Sequence, residues 1–239
     1  MSRLTLSALS LLLLFAASTN AYASPEPVRV GATFAKIYIP EGFDSNDQVQ
    51  IVGEGMFRNT CYRPAPGAVK VDDITKTILV GPVAYEYSGF CLQVILPFNR
   101  VVDVGMLKPG TWKVVQRAGA TVQPLGEINI TTALTNAPDD YIYAPVSQAF
   151  FQQDGLMSNV FLTGEFRSSC MTLDTVKISI QKDVVVLQPI AKVSGDPGCK
   201  DGTFAFSKKV DLGFVPQGRY LLHVRSMNGN AVNTLISVN

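Results

Sequence analysis

Beyond residue 24 the chain alternates apolar and polar positions over short stretches broken by glycine, proline and asparagine, and no stretch sustains a 3.6-residue apolar period. That pattern predicts an all-β protein. In the N-terminal half, alternation and turn residues predict strands at Val28–Val30 and Lys36–Ile39, separated by Gly31. Further strands follow at Gln48–Phe57, Val69–Val71, Thr77–Val80, Phe90–Leu96, Val101–Val104, Thr111–Val115 and Glu127–Ile130. Gly53 and Gly55, inside Gln48–Phe57, are read as a bulge. In the C-terminal half the same signals predict strands at Val160–Phe166, Val176–Ile180, Val184–Leu187, Thr203–Phe206, Lys209–Leu212, Tyr220–Val224 and Thr234–Val238. About seven short strands in each unit of roughly 100 residues, with closely spaced turns, is the pattern of a two-sheet sandwich.

The two sets of strands correspond because the chain repeats itself. Gly55-Met56-Phe57-Arg58-Asn59-Thr60-Cys61 recurs as Gly164-Glu165-Phe166-Arg167-Ser168-Ser169-Cys170. Phe98, Val102, Asp103, Pro109, Gly110 and Trp112 recur as Phe206, Val210, Asp211, Pro216, Gly218 and Tyr220, and Ile37-Tyr38-Ile39-Pro40 resembles Ile142-Tyr143-Ala144-Pro145. The offset is far longer than a solenoid unit and matches a complete small domain. The expected organisation is a domain over 24–131, a polar linker over 132–140 and a homologous domain over 141–239. Residues present in both copies are requirements of the shared fold, and a specific function belongs with residues found in one copy only.

Residues 1–23 carry Arg3, an apolar run from Leu4 to Ala17, and Ala21-Tyr22-Ala23 before Ser24. This is the layout of a secretory signal peptide cleaved after Ala23. The alternative, a membrane anchor, needs roughly 20 apolar residues, more than this run provides. No later stretch is apolar for long enough to span a bilayer. The expected location is outside the cytoplasm: periplasm, cell surface or medium.

Lys and Arg number 20 against 19 Asp and Glu, so no basic excess exists to hold a nucleic acid. The four cysteines fall two per copy at matched positions, which favours Cys61–Cys91 and Cys170–Cys199 as disulfides inside each domain. Closing a loop of about 30 residues contributes roughly 3 to 4 kcal/mol in the chain-entropy account. Neither a C-x-x-C pair nor a histidine cluster is present to build a zinc site.

Leu107-Lys108-Pro109-Gly110-Thr111-Trp112 and Val215-Pro216-Gln217-Gly218-Arg219-Tyr220 resemble the corner that precedes the penultimate strand of immunoglobulin-like and fibronectin type III-like domains. The resemblance implies two immunoglobulin-like β-sandwich domains, with the polar tip of Trp112 and of Tyr220 bonded back to its corner. The chain departs from that pattern in two ways. The aromatic stands one residue closer than usual and is Trp in the first copy, and the cysteines are too close in sequence for the inter-sheet bond of antibody domains.

His223 is the single histidine. Alternation along Tyr220–Val224 turns it toward solvent, and its isolation removes histidine-centred triads and metal sites. With no phosphate loop, dinucleotide fingerprint or nucleophile elbow, the expectation is no catalytic residue, no cofactor and no metal. The recurrence of Arg58 with Asp103 and of Arg167 with Asp211 is read as a structural ion pair in each domain, with a duplicated ligand clamp as the alternative. Asp44-Ser45-Asn46-Asp47 and Asp139-Asp140 lack a calcium-loop pattern and are read as solvated turns, and Phe150-Phe151 as core. Tyr85-Glu86-Tyr87-Ser88-Gly89-Phe90 has no counterpart in the second copy, where Ser194-Gly195-Asp196-Pro197-Gly198 stands instead. Tyr85, Tyr87 and Phe90 are therefore the candidate contact surface for a protein or glycan partner, unless they merely cover a core edge. The expected role is a non-enzymatic exported binding, adhesion or envelope-structural protein. A periplasmic two-domain chaperone of fibre or surface-subunit assembly is the alternative, and an extracytoplasmic enzyme comes last.

Overall fold

The computed structural model describes residues 25–239, so the expected signal peptide and its cleavage site lie outside the described residues. The first half contains β1 (Val28–Gly31), β2 (Lys36–Tyr38), β3 (Phe43–Asp44), β4 (Val49–Phe57), β5 (Tyr62–Asp72), β6 (Thr77–Glu86), β7 (Leu96–Gly105), β8 (Gly110–Ala118) and β9 (Thr121–Thr131). The second contains β10 (Val146–Asp154), β11 (Met157–Ser168), β12 (Met171–Gln181), β13 (Val184–Val193), β14 (Asp201–Gly213), β15 (Gly218–Arg225) and β16 (Ala231–Val238).

Each half is built from two sheets in the same order. Strands β5-β6-β8-β9 correspond to β12-β13-β15-β16, and β2-β4-β7 to β10-β11-β14; β1 and β3 are short additions beside β6 and β9. In both larger sheets one central step is parallel, β6 with β8 and β13 with β15. That step departs from the immunoglobulin-type layout, whose two sheets are antiparallel.

Apolar side chains from both sheets of each half meet in one core. In the first half Ile51, Phe57, Phe98 and Val102 pack against Ile78, Trp112, Val114 and Ile128. In the second, Val160, Leu162 and Val210 pack against Val185, Leu222 and Ile236. The corners close as the motif requires: Trp112 Nε1 donates to the Lys108 carbonyl at 2.8 Å, and the Tyr220 hydroxyl to the Pro216 carbonyl at 2.9 Å. The two disulfides are Cys61–Cys91 and Cys170–Cys199.

The repeated glycine has a packing cause. Gly55 pairs across the sheet with Phe98, and Gly164 with Phe206. A Cβ on Gly55 would lie 2.5 Å from both the Phe98 ring and the Thr33 carbonyl, and Gly164 is closed off in the same way by Phe206 and the Pro145 carbonyl. Freed of that Cβ, Phe98 lies stacked on Phe57 with centroids 4.2 Å apart, and Phe206 sits 4.9 Å from Phe166. The register shift in β4 falls at Val49 and Gln50, so the glycines are ring seats and not a bulge.

Several strand boundaries differ from the sequence reading. Phe90–Leu96 is not a strand, because β4 ends at Phe57, whose partner is Leu96; earlier residues have no neighbour to pair with. The chain from Leu96 to Gly105 is one strand, as is Asp201–Gly213. Strand β10 was hidden by its glutamines, Gln148, Gln152 and Gln153, on an exposed edge. The match of Ile37–Pro40 with Ile142–Pro145 is also out of register. Ala144 N–H bonds to the Pro189 carbonyl as Ala32 N–H bonds to that of Pro82, which makes Val30–Thr33 the counterpart of Ile142–Pro145.

Candidate functional site

Between β6 and β7 the chain leaves the sheet for nine residues, Tyr87–Ile95, and its backbone is tied down at the disulfide end. Tyr87 N–H donates to the Cys61 carbonyl at 2.9 Å and Thr60 N–H to the Leu92 carbonyl at 3.1 Å. Leu92 N–H donates to Thr60 Oγ1 at 2.9 Å. The second half repeats all three ties. There Ser194 N–H reaches the Cys170 carbonyl, Ser169 N–H the Lys200 carbonyl, and Lys200 N–H Ser169 Oγ.

One scaffold thus carries two different sets of side chains. In the second half it presents Ser194, Asp196 and Lys200; in the first it presents Tyr87, Phe90, Leu92, Val94 and Ile95. Phe90 is 92 % exposed and Ile95 68 %, so these groups do not cover a core edge. Tyr85 lies inside β6, flanked across the sheet by Arg29 on β1 and Arg63 on β5. Phe90 and Tyr87, candidates by sequence, are exposed, and so are Leu92, Val94 and Ile95, which the sequence assigns to a strand.

The two proposed ion pairs do not form. Asp103 stands opposite Gln50 and accepts from its Nε2 at 2.7 Å, whereas Arg58 follows Phe57 at the other end of β4. Arg58 instead bonds the Tyr62 hydroxyl and lies 3.5 Å from Glu86. In the second half Asp211 accepts the Gly213 N–H at 2.7 Å and stands opposite Asn159, a strand's length from Arg167.

His223 is buried, contrary to its expected exposure, because the outer face of β15 is covered by the first half. Tyr38 and Val52 meet Val184, Val186 and Leu221 in an apolar cluster shared by both halves. Around it runs a polar rim: Lys36–Asp183 at 2.9 Å, Arg219 on both carboxylate oxygens of Glu54, and Asn233 Nδ2 on Gln50 Oε1 at 3.0 Å. His223 Nδ1 lies 2.7 Å from Asn233 Oδ1, its ring meets Phe43 edge-on, and Nε2 has no partner. Burial, with Arg225 nearby, pushes its pKa down to about 4, so the ring is neutral.

Arg225 closes the interface. Its guanidinium reaches Asp47, the Tyr143 hydroxyl at 3.1 Å and the Gly42 carbonyl at 2.6 Å, and lies over the Phe43 ring. The two acidic turns read as solvated come together here. Asn46 Nδ2 donates to the Ala137 carbonyl and to Asp140 Oδ1, binding the 132–140 segment to the first half. Asp139 is raised to about 6, chiefly by burial. Among the described residues no group of three or more His, Cys, Asp or Glu is arranged to hold a metal, and no helix is long and apolar enough to cross a membrane.

Comparisons with protein-family models, with curated proteins and with solved structures return no match to this chain. Its role is therefore read from its geometry.

Proposed function

We propose that this protein is a non-enzymatic binding or envelope-structural module of an oxidising, extracytoplasmic compartment, and that Tyr87–Ile95 is its contact element. The observation that carries this reading is the internal comparison. Identical backbone ties hold a polar loop in one half and an apolar, exposed loop in the other, so the apolar side chains are not there for the fold. An exposed apolar cluster on an ordered backbone is the mark of a surface made to be covered. Two disulfides support an oxidising location. The only histidine, neutral and enclosed between the halves, has no access to a substrate.

The test replaces Phe90 and Ile95 together by Ser and follows the protein through cell fractionation with protease protection. The expected result is wild type retained with the envelope and the variant, equally folded by near-ultraviolet circular dichroism, released. Equal retention of the two proteins would overturn the proposal.

A further inference from the structure

The composition around the loop indicates what covers it. From Tyr87 to Phe98 the chain holds no charged residue. Its apolar groups, Phe90, Leu92, Val94 and Ile95, are exposed on a connection between strands. Three exposed arginines stand behind them, Arg29 and Arg63 flanking Tyr85 and Arg58 at the end of β4, against two acids, Glu86 and, two residues before Val28, Glu26.

The chain also enters the described structure here, since Val28 stands opposite Glu86, directly before the loop.

An exposed aliphatic and aromatic tip backed by arginines matches the boundary of an anionic lipid bilayer. The tip enters among the upper acyl chains while the guanidinium groups remain with the phosphates. The backbone ties at Thr60 and Cys61 satisfy part of the loop's polar groups and limit entry to that boundary. We infer that Tyr87–Ile95, with Arg29 and Arg63, is a docking surface for an anionic lipid membrane. This rests on the contact role proposed above and names its partner.

The test is co-sedimentation of the purified protein with vesicles of phosphatidylglycerol and phosphatidylethanolamine, and with phosphatidylcholine vesicles as the uncharged control. Wild type is expected to bind the anionic vesicles, and Phe90→Ser with Ile95→Ser to lose that binding. Arg29→Gln with Arg63→Gln should weaken it by about tenfold or more and flatten its salt dependence, since each basic group near such a surface contributes on the order of 1 kcal/mol. All three proteins should melt alike. A folded wild type that ignores anionic vesicles overturns the inference. If the loop variant is nevertheless released from the envelope, the contact role stands and the partner is a protein, a second copy of this chain included if sedimentation velocity shows a loop-dependent dimer. If neither assay responds to the loop, both readings fall.

Discussion

Arg225 and Asp47, one from each half of the chain, meet at 2.9 Å with side-chain exposures of 6 % and 5 %. Taking Arg225 away leaves Asp47 charged and enclosed, which costs about 3 to 5 kcal/mol for a broken buried pair. Arg225→Ala should therefore shift the urea midpoint strongly. Arg219→Ala, at the more exposed rim pair with Glu54, should cost about 1 kcal/mol or less. Equal midpoint shifts for the two variants would show that the halves are not held as described.

The same interface makes stability depend on pH through two groups of opposite sign. His223 titrates near 4 when folded against 6.5 in the reference state, so the unfolded chain takes up a proton that the folded chain refuses. Its contribution, on the order of 3 kcal/mol, is complete above the unfolded value and drains as pH falls through that window. Asp139, raised from 3.8 to about 6, behaves in reverse: the folded chain holds the proton better, so acidification relieves it. Urea midpoints measured from neutral pH down to about pH 4 should show a flatter acid limb for His223→Gln. Asp139→Asn should be more stable than wild type at neutral pH and steeper in acid. An unchanged acid limb in His223→Gln would remove the histidine from this account.

Gly55→Ala should be strongly destabilising, because the added Cβ would meet the Thr33 carbonyl as well as the Phe98 ring, and backbone cannot yield as a side chain can. Gly31→Ala is the matched control, with nothing within 4 Å of the new atom. Thermal melting should separate the two by about 2 kcal/mol or more.

Phe90→Ser, at an exposed tip, should leave stability within about 0.5 kcal/mol of wild type. Cys61→Ser with Cys91→Ser should cost about 3 to 4 kcal/mol. Denaturation of the two variants side by side tests whether the apolar loop is held by the fold without supporting it. A large loss in Phe90→Ser would make it a packing residue.

Much of the fold was legible because its causes are local. Alternation located most strands and the paired cysteines announced the disulfides, whereas Gly53 and Gly55, read as a bulge, seat the rings of Phe34 and Phe98. What escaped depends on partners distant in sequence. The side of β15 bearing His223 reads as outward by alternation and is outward from its own core, yet Phe43 and Asn233 cover it. Nothing near Arg225 or Asp47 in sequence indicates that they meet. The exposed apolar loop was half visible: the absence of Tyr85–Phe90 from the second half pointed to it, whereas Leu92–Ile95 looked like a strand until the end of β4 at Phe57 removed any partner for it.

The face by which the second half attaches carries Val184, Val186, Leu221 and Leu235. At the positions matching them in strand order and register, the first half has Thr77, Leu79, Lys113 and Glu127, with Lys113 and Glu127 paired across the sheet. A like unit placed ahead of the first half would thus meet charge where this pair meets aliphatic side chains. That face of the first half is more polar than the one by which the second half attaches. Fusing a further copy of the second half upstream should give a tethered, independently tumbling domain, not a longer rod.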